Sequence, residues 1–228
     1  MMMLTPEMEI IALSLRIAGI AILGALPVAF GFAWILARYN FPGKSLLQAV
    51  LTMPLVLPPV VTGYFLLVLF GARGAIGSVL LDWFGFTFAF RWTGAALAAG
   101  VMALPLLIRP MRLAIENIDK GLEEAARTLG AGRIKAFMTV TLPLLMPGII
   151  AGSVLGFAKA LGEFGATITF VSNIPGETQT LSLAIYALMQ SPSGDAAALK
   201  LILVSVVLSV LAVVLSEWLQ RRLSGAGK

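Results

Sequence analysis

The chain has no cysteine and no histidine among its 228 residues. Without cysteine there is neither a disulfide framework nor a thiolate metal site. Without histidine the commonest metal ligand and the usual general base are missing. Little room is left for hydrolytic or redox chemistry, and no cofactor or bound metal is expected. Charge is scarce too. Asp, Glu, Lys and Arg make up 12% of the residues, against roughly 25% in a soluble domain. Apolar residues reach 59% and the mean hydropathy is +0.98. These values exclude a water-soluble domain and point to an all-α integral membrane protein.

A crossing helix needs about 20 mainly apolar residues. Five stretches qualify, and five spans are expected: Ile10–Leu36, Leu46–Phe70, Trp92–Ile108, Pro147–Val171 and Ala197–Ser216. Thr5, Pro6 and Glu7 read as a helix start, with a capping hydroxyl, a proline in the first turn and an acid. A cleavable signal peptide is not expected there, because no basic residue precedes the run. The second stretch carries Pro54, Pro58 and Pro59, so it should be kinked, with the freed carbonyls satisfied by protein or a water-filled cavity. Gly74–Phe90 and Thr178–Gly194 are apolar but broken by glycine, proline or glutamine. Both read as interfacial or re-entrant pieces.

Orientation follows the placement of Lys and Arg. With the N-terminus outside, Arg38, Lys44, Arg109, Arg112, Lys120, Arg127, Arg133, Lys135, Arg221, Arg222 and Lys228 fall inside, 11 of the 16 basic residues. The net charge of +5 is then a topology signal, and no nucleic-acid partner is expected. The C-terminus would be cytoplasmic.

The longest polar segment, about Arg109 to Met146, joins the third and fourth spans on the inner side. Glu123 to Leu129 is rich in helix formers, and Gly130 and Gly132 can end the helix. Leu122, Ala125, Ala126 and Leu129 share one face. Such a helix either lies on the membrane or is presented to a cytoplasmic partner. Glu124-Ala125-Ala126, three residues, Gly130, nine residues and then Val140-Thr141-Leu142-Pro143 resembles the EAA signature of ABC importer permeases, with Val140 in place of the usual isoleucine. That resemblance implies a type I permease fold and a coupling role for Glu124, Ala125, Ala126, Gly130, Leu142 and Pro143. It also implies two ATPase chains as partners. A phosphate-binding loop needs G-x4-G-K-[ST]. Gly43-Lys44 and Gly227-Lys228 have Arg38 and Arg222 where the first glycine would stand. ATP hydrolysis is therefore expected in another chain.

The proline-rich second span is similar to its counterpart in sulfate and molybdate permeases. Gly162-Glu163-Phe164-Gly165 also resembles that oxyanion group. The continuation Asn173-Ile-Pro-Gly-Glu-Thr-Gln-Thr-Leu181, with Ala184-Ile185-Tyr186, is most similar to the molybdate branch. The resemblance implies a homodimer in the lipid bilayer, loaded by an extracytoplasmic molybdate-binding protein. Sulfate, thiosulfate or tungstate are alternative cargoes. A secondary transporter or channel is the alternative of another class, although the chain shows no second copy of the proline-rich span.

Within the fourth span Gly148, Gly152 and Gly156 follow at intervals of four, the small-residue pattern that lets helix backbones approach. Lys159 and Glu163 continue that face at 100° per residue. This intramembrane ion pair is either structural or part of a pathway, since charges at this depth usually face the bundle interior. In the pathway reading, Pro54, Pro58, Pro59, Lys159, Gly162, Glu163 and Gly165 form the route or gate. Lys159 receives the oxyanion transiently there, and Glu163 keeps binding weak. Thr167 and Thr169 are candidate hydroxyl donors, or they bond their own backbone.

Overall fold

A computed structural model describes residues 6–225, and every regular element among them is helical. Thr5 and Lys228 lie outside the described residues, as do the side chains of Lys120, Arg221 and Arg222. The first helix, α1 (Pro6–Arg38), opens on proline, with Glu7 and Glu9 in its first turn and Arg38 in its last. Those charges oppose the helix macrodipole at both ends.

α2 (Lys44–Val56) and α3 (Pro59–Phe70) meet at an angle of 113°. The cause is the Leu57-Pro58-Pro59 sequence. A residue before proline is pushed out of the helical region, and both Leu57 (ψ 146°) and Pro58 (ψ 131°) are extended. Gln48 of α2 accepts a bond from Arg112 near the end of α5 (Trp92–Glu116), while Phe70 packs on Phe88, just before α5 begins. The bent pair therefore reaches both ends of α5, and its two helices together are long and apolar enough to count as one broken span.

Four further stretches are long and apolar enough to cross: Pro6–Arg38, Trp92–Glu116, Arg133–Leu161 and Asp195–Leu215. Counting the bent pair as one span gives five, the number expected. Two boundaries differ from expectation. The third span does not end at Ile108. It runs through Arg109 and Pro110 to Glu116, and the Arg112–Glu116 pair at 2.7 Å supports its last turn. The fourth does not begin at Pro147. Helical structure starts upstream with α7 (Arg133–Ala136), passes through a π-helix at Phe137–Thr141, and continues as α8 (Leu142–Leu161) with Pro147 inside it. Nor does it reach Val171 unbroken, because Gly162–Phe164 separate α8 from α9 (Gly165–Val171). The segment joining the third and fourth spans, expected over 109–146, thereby shortens to 117–132 and holds α6 (Lys120–Thr128).

The two ambiguous stretches contain α4 (Gly77–Phe84) and α10 (Leu181–Met189), of 8 and 9 residues. At 1.5 Å per residue neither reaches across about 30 Å of hydrocarbon. α11 (Asp195–Gly225) closes the chain and packs on α8 and α10.

The core is the α1–α5–α8 contact, and it is built from small residues. Ala18, Ala21, Ala25, Ala29 and Ala33 of α1 are buried, as are Ala95, Ala96, Ala98, Ala99 and Ala103 of α5. In lipid, hydrophobicity does not drive helices together, so such short side chains gain dispersion contact by letting the backbones close up. The Cβ of an alanine at Gly100 would stand 3.2 Å from the Ala21 carbonyl. Most of the apolar surface of α11, including Leu203, Val206, Val210 and Leu211, faces outward, as lipid contact requires.

Candidate functional site

Two helix breaks meet where α3 packs on α9. α3 lies on α9, and the contact is set by glycines: a Cβ on Gly63 would come 2.5 Å from the Ala166 carbonyl oxygen, and one on Gly165 would come 2.7 Å from Pro59 Cβ. The break at Leu57–Pro58 therefore abuts the break at Gly162–Phe164. Pro54 sits a turn before the first of these, where Leu57 N–H still reaches the Met53 carbonyl.

Lys159 lies in the last turn of α8 and Glu163 in the second break itself. Lys159 Nζ donates to Glu163 Oε2 at 2.6 Å, and Glu163 Oε1 accepts the Ala166 N–H at 3.0 Å. Glu163 is 2% exposed, whereas the Lys159 side chain keeps 29% of its surface accessible. The carboxylate thus caps α9 and neutralises the lysine at once. A buried carboxylate at this depth needs such pairing. An anion that reached Lys159 Nζ would compete with Glu163 for it. Thr169 Oγ1 donates to the Gly165 carbonyl at 2.9 Å, within its own helix, and Thr167 is buried. The Phe164 ring packs 4.9 Å from that of Tyr186 of α10.

The glycines of α8 sit against neighbouring helices. A Cβ on Gly148 would meet Ala114 Cβ at 2.5 Å, and one on Gly152 would meet the Leu107 carbonyl oxygen at 2.9 Å. Gly156 packs between Ile22 and Leu107, near 3.0 Å from the first.

At the other end of α8 stands the segment that carries α6. Asp119 caps α6 by accepting the Gly121 N–H at 2.8 Å. Gly130, at φ +88°, lets the chain turn back, so that Ala131 N–H reaches the Ala126 carbonyl. Leu129 is 89% exposed, and Leu122, Ile134 and Met138 are exposed beside it. Glu124 and Ala125 are exposed and Ala126 is half-buried. A hollow of about 700 Å³ is lined by Glu124, Arg127, Thr128 and residues 130–133. Leu142 and Pro143 follow at the start of α8, half-buried and exposed. An apolar face with charges at its rim, turned away from the bundle, is a docking surface in form.

Sequence reasoning missed several contacts. Arg38, at the end of α1, donates to Glu123 Oε1 at 2.5 Å, and the same oxygen accepts Thr141 Oγ1 at 2.9 Å. Arg38 had entered only in the topology balance and as the residue that breaks a phosphate-loop pattern at Gly43-Lys44. It also lies over the Trp34 ring, and Phe30 and Trp34 of α1 pack edge-on against Phe137 of the π-helix. At the opposite end, Ser14 Oγ accepts the Leu181 N–H at 2.7 Å, and Arg16 stacks 3.9 Å over Trp92.

Residues 25–225 match the family described as the binding-protein-dependent transport system inner membrane component. The chain is 57% identical over 221 residues to the molybdenum transport system permease protein ModB of Escherichia coli (strain K12), covering 97% of this chain and 96% of that one. It is 54% identical to the protein of the same name from Haemophilus influenzae, over 95% of each chain. Among solved structures, a bacterial ABC transporter involved in import of the acidic polysaccharide alginate superposes with a TM-score of 0.72. That match covers 96% of this chain and 80% of that one at 18% identity, which is a likeness of fold.

Proposed function

The chain belongs to the family of inner membrane components of binding-protein-dependent transport systems, and from that membership we propose that it is the membrane-spanning subunit of an ATP-driven importer of molybdate. The cargo follows the relatives named as molybdenum permeases, which match nearly end to end. In the complex, two copies of this chain enclose the pathway. Two ATPase subunits dock from the cytoplasm, and an extracytoplasmic binding protein delivers the anion. The N-terminus lies outside and the C-terminus inside.

The observation that carries this reading is the docking face itself. α6 is capped by Asp119, turned by Gly130, and displays Leu129 and Glu124 away from the spans. Nothing in a monomeric channel needs such an apolar face at that end. Glu124, Ala125, Ala126, Gly130, Leu142 and Pro143 form the coupling surface. Pro54, Pro58, Pro59, Gly162 and Gly165 let the spans bend at the pathway, where Lys159 receives the oxyanion against competition from Glu163. Gly148, Gly152 and Gly156 keep α8 close to its neighbours.

The test is uptake of labelled molybdate by cells with and without the gene, with excess sulfate as competitor. Gene-dependent uptake that resists sulfate is the expected result. Uptake abolished by modest sulfate would move the cargo to sulfate and leave the architecture standing. Gene-independent uptake would reject the cargo altogether.

A further inference from the structure

The two adjacent acids of α6 differ in what they touch. Glu124 is exposed at the hollow, whereas Glu123 faces inward, where its Oε1 accepts from both Arg38 and Thr141. Arg38 ends α1, and Thr141, with no exposed surface, is the last residue before α8. One carboxylate oxygen thus ties the docking helix to two separate spans. We infer that Glu123 is the positioning residue that passes movement of α6 to α1 and α8 together, and that it does so without contacting the ATPase. The inference rests on the reading of α6 as the docking helix.

Three further features support it. The Phe30–Trp34–Phe137 cluster holds α1 against the π-helix beside the same bond, so a pull on Glu123 meets a packed element rather than a loose loop. A π-helix is a strained, often functional interruption of α-helical order, and here it lies between α7 and α8. Finally, Arg38 Nε is buried without an acceptor. The guanidinium therefore makes one bond to Glu123 where a fork-to-fork pair makes two. The free Nε leaves room for a second bond if α6 slides along the guanidinium edge, the kind of alternative contact that an element transmitting a conformational change needs.

α8 carries the movement onward. It runs from Thr141 to the break at Gly162, where Lys159 and Glu163 meet. Displacing its inner end therefore acts on the proposed anion site at its outer end.

The experiment uses the whole importer reconstituted in vesicles, comparing wild type with Glu123→Gln and with Thr141→Val, which removes the hydroxyl and keeps the shape. Both variants are expected to retain the ATPase subunit on co-purification. Uptake is expected to fall about tenfold in Glu123→Gln, within the usual range of coupling between sites, and by less in Thr141→Val. In Glu123→Gln, ATP hydrolysis should also stop responding to the loaded binding protein. The charge-reversed pair Arg38→Glu with Glu123→Arg should recover uptake relative to either single change, which separates loss of the contact from loss of the fold. Normal uptake and normal stimulation in Glu123→Gln would overturn the inference. So would loss of the ATPase from Glu123→Gln, which would make Glu123 part of the docking surface. A wild-type chain that retains no ATPase would overturn the docking reading, and the inference with it.

Discussion

Lys159 Nζ stands 2.6 Å from Glu163 Oε2, and the opposite oxygen of that carboxylate holds the Ala166 N–H at the start of α9. One acid therefore closes a helix break and balances the lysine beside it. Lys159→Met leaves the cap intact and removes the cation. Uptake should be lost while the protein reaches the membrane in normal amount; unchanged uptake with normal expression would exclude Lys159 from the pathway. Glu163→Ala leaves an unpaired ammonium and an uncapped helix. Removing one partner of a buried pair costs about 3–5 kcal/mol, and the partly accessible lysine lowers that to about 2 kcal/mol. Thermal unfolding of the purified protein in detergent reads this difference.

The meeting of α3 and α9 depends on bare backbone. Gly63→Ala would drive a methyl into the Ala166 backbone, 2.5 Å from its carbonyl oxygen and 2.9 Å from its Cα. Overpacking of this kind typically costs about 1–3 kcal/mol, and uptake should fall because the two breaks separate. Gly24→Ala provides the comparison, since nothing lies within 4 Å of its Cβ position. That change should leave uptake intact and, in a helix interior, gain up to about 1 kcal/mol. Equal melting shifts for the two would show that the contact is not tight.

Leu129→Glu should separate docking from folding. The side chain is 89% exposed, so the change should move stability by no more than about 0.5 kcal/mol. Co-purification of the ATPase subunit, however, should be lost. Gly130→Ala should weaken the same association for another reason. At φ +88° an L-residue costs about 1–2 kcal/mol, and the turn that aims Leu129 outward relaxes. Retention of the ATPase by both variants would remove this face as the docking surface.

The absence of cysteine gives a background free of thiols for testing topology. Pro175→Cys and Ser193→Cys flank α10 at exposed positions, and Ser45→Cys lies at the start of α2. An impermeant maleimide applied to intact cells should label the first two and not the third, until the membrane is permeabilised. Labelling of only one of the α10 pair would make α10 a span and reverse the direction of α11.

The number of spans, the kink and the helix between the third and fourth spans were legible because each rests on local chemistry. Runs of apolar residues mark spans, paired prolines mark the break at Leu57–Pro58, and the left-handed Gly130 marks the end of α6. The ends of the third and fourth spans were not legible. Arg109 and Pro147 are boundary signals in isolation, yet the Arg112–Glu116 pair and the helical turns upstream of Leu142 carry the helices past them. Lys159 and Glu163 could be paired from their spacing of four. Arg38 and Glu123 could not, since 85 residues separate them and only the packing of α1 beside the inner segment brings them together. The second job of Glu163, capping α9, was hidden for a related reason: it needs the break that its neighbouring glycines create.

The π-helix at Phe137–Thr141 sets the phase between the inner segment and α8. A π turn holds one residue more than an α turn, so it rotates everything downstream by about 100° relative to an unbroken α-helix. Deleting a single residue from it would leave each local helix intact. It would also swing Gly148, Gly152 and Gly156 off the α5 surface they now meet, or turn Leu129 and Glu124 by the same angle. The sequences of α6 and α8 can each be right and the chain still fail if the count between them changes by one. Spacing in this stretch is therefore as much a functional constraint as composition.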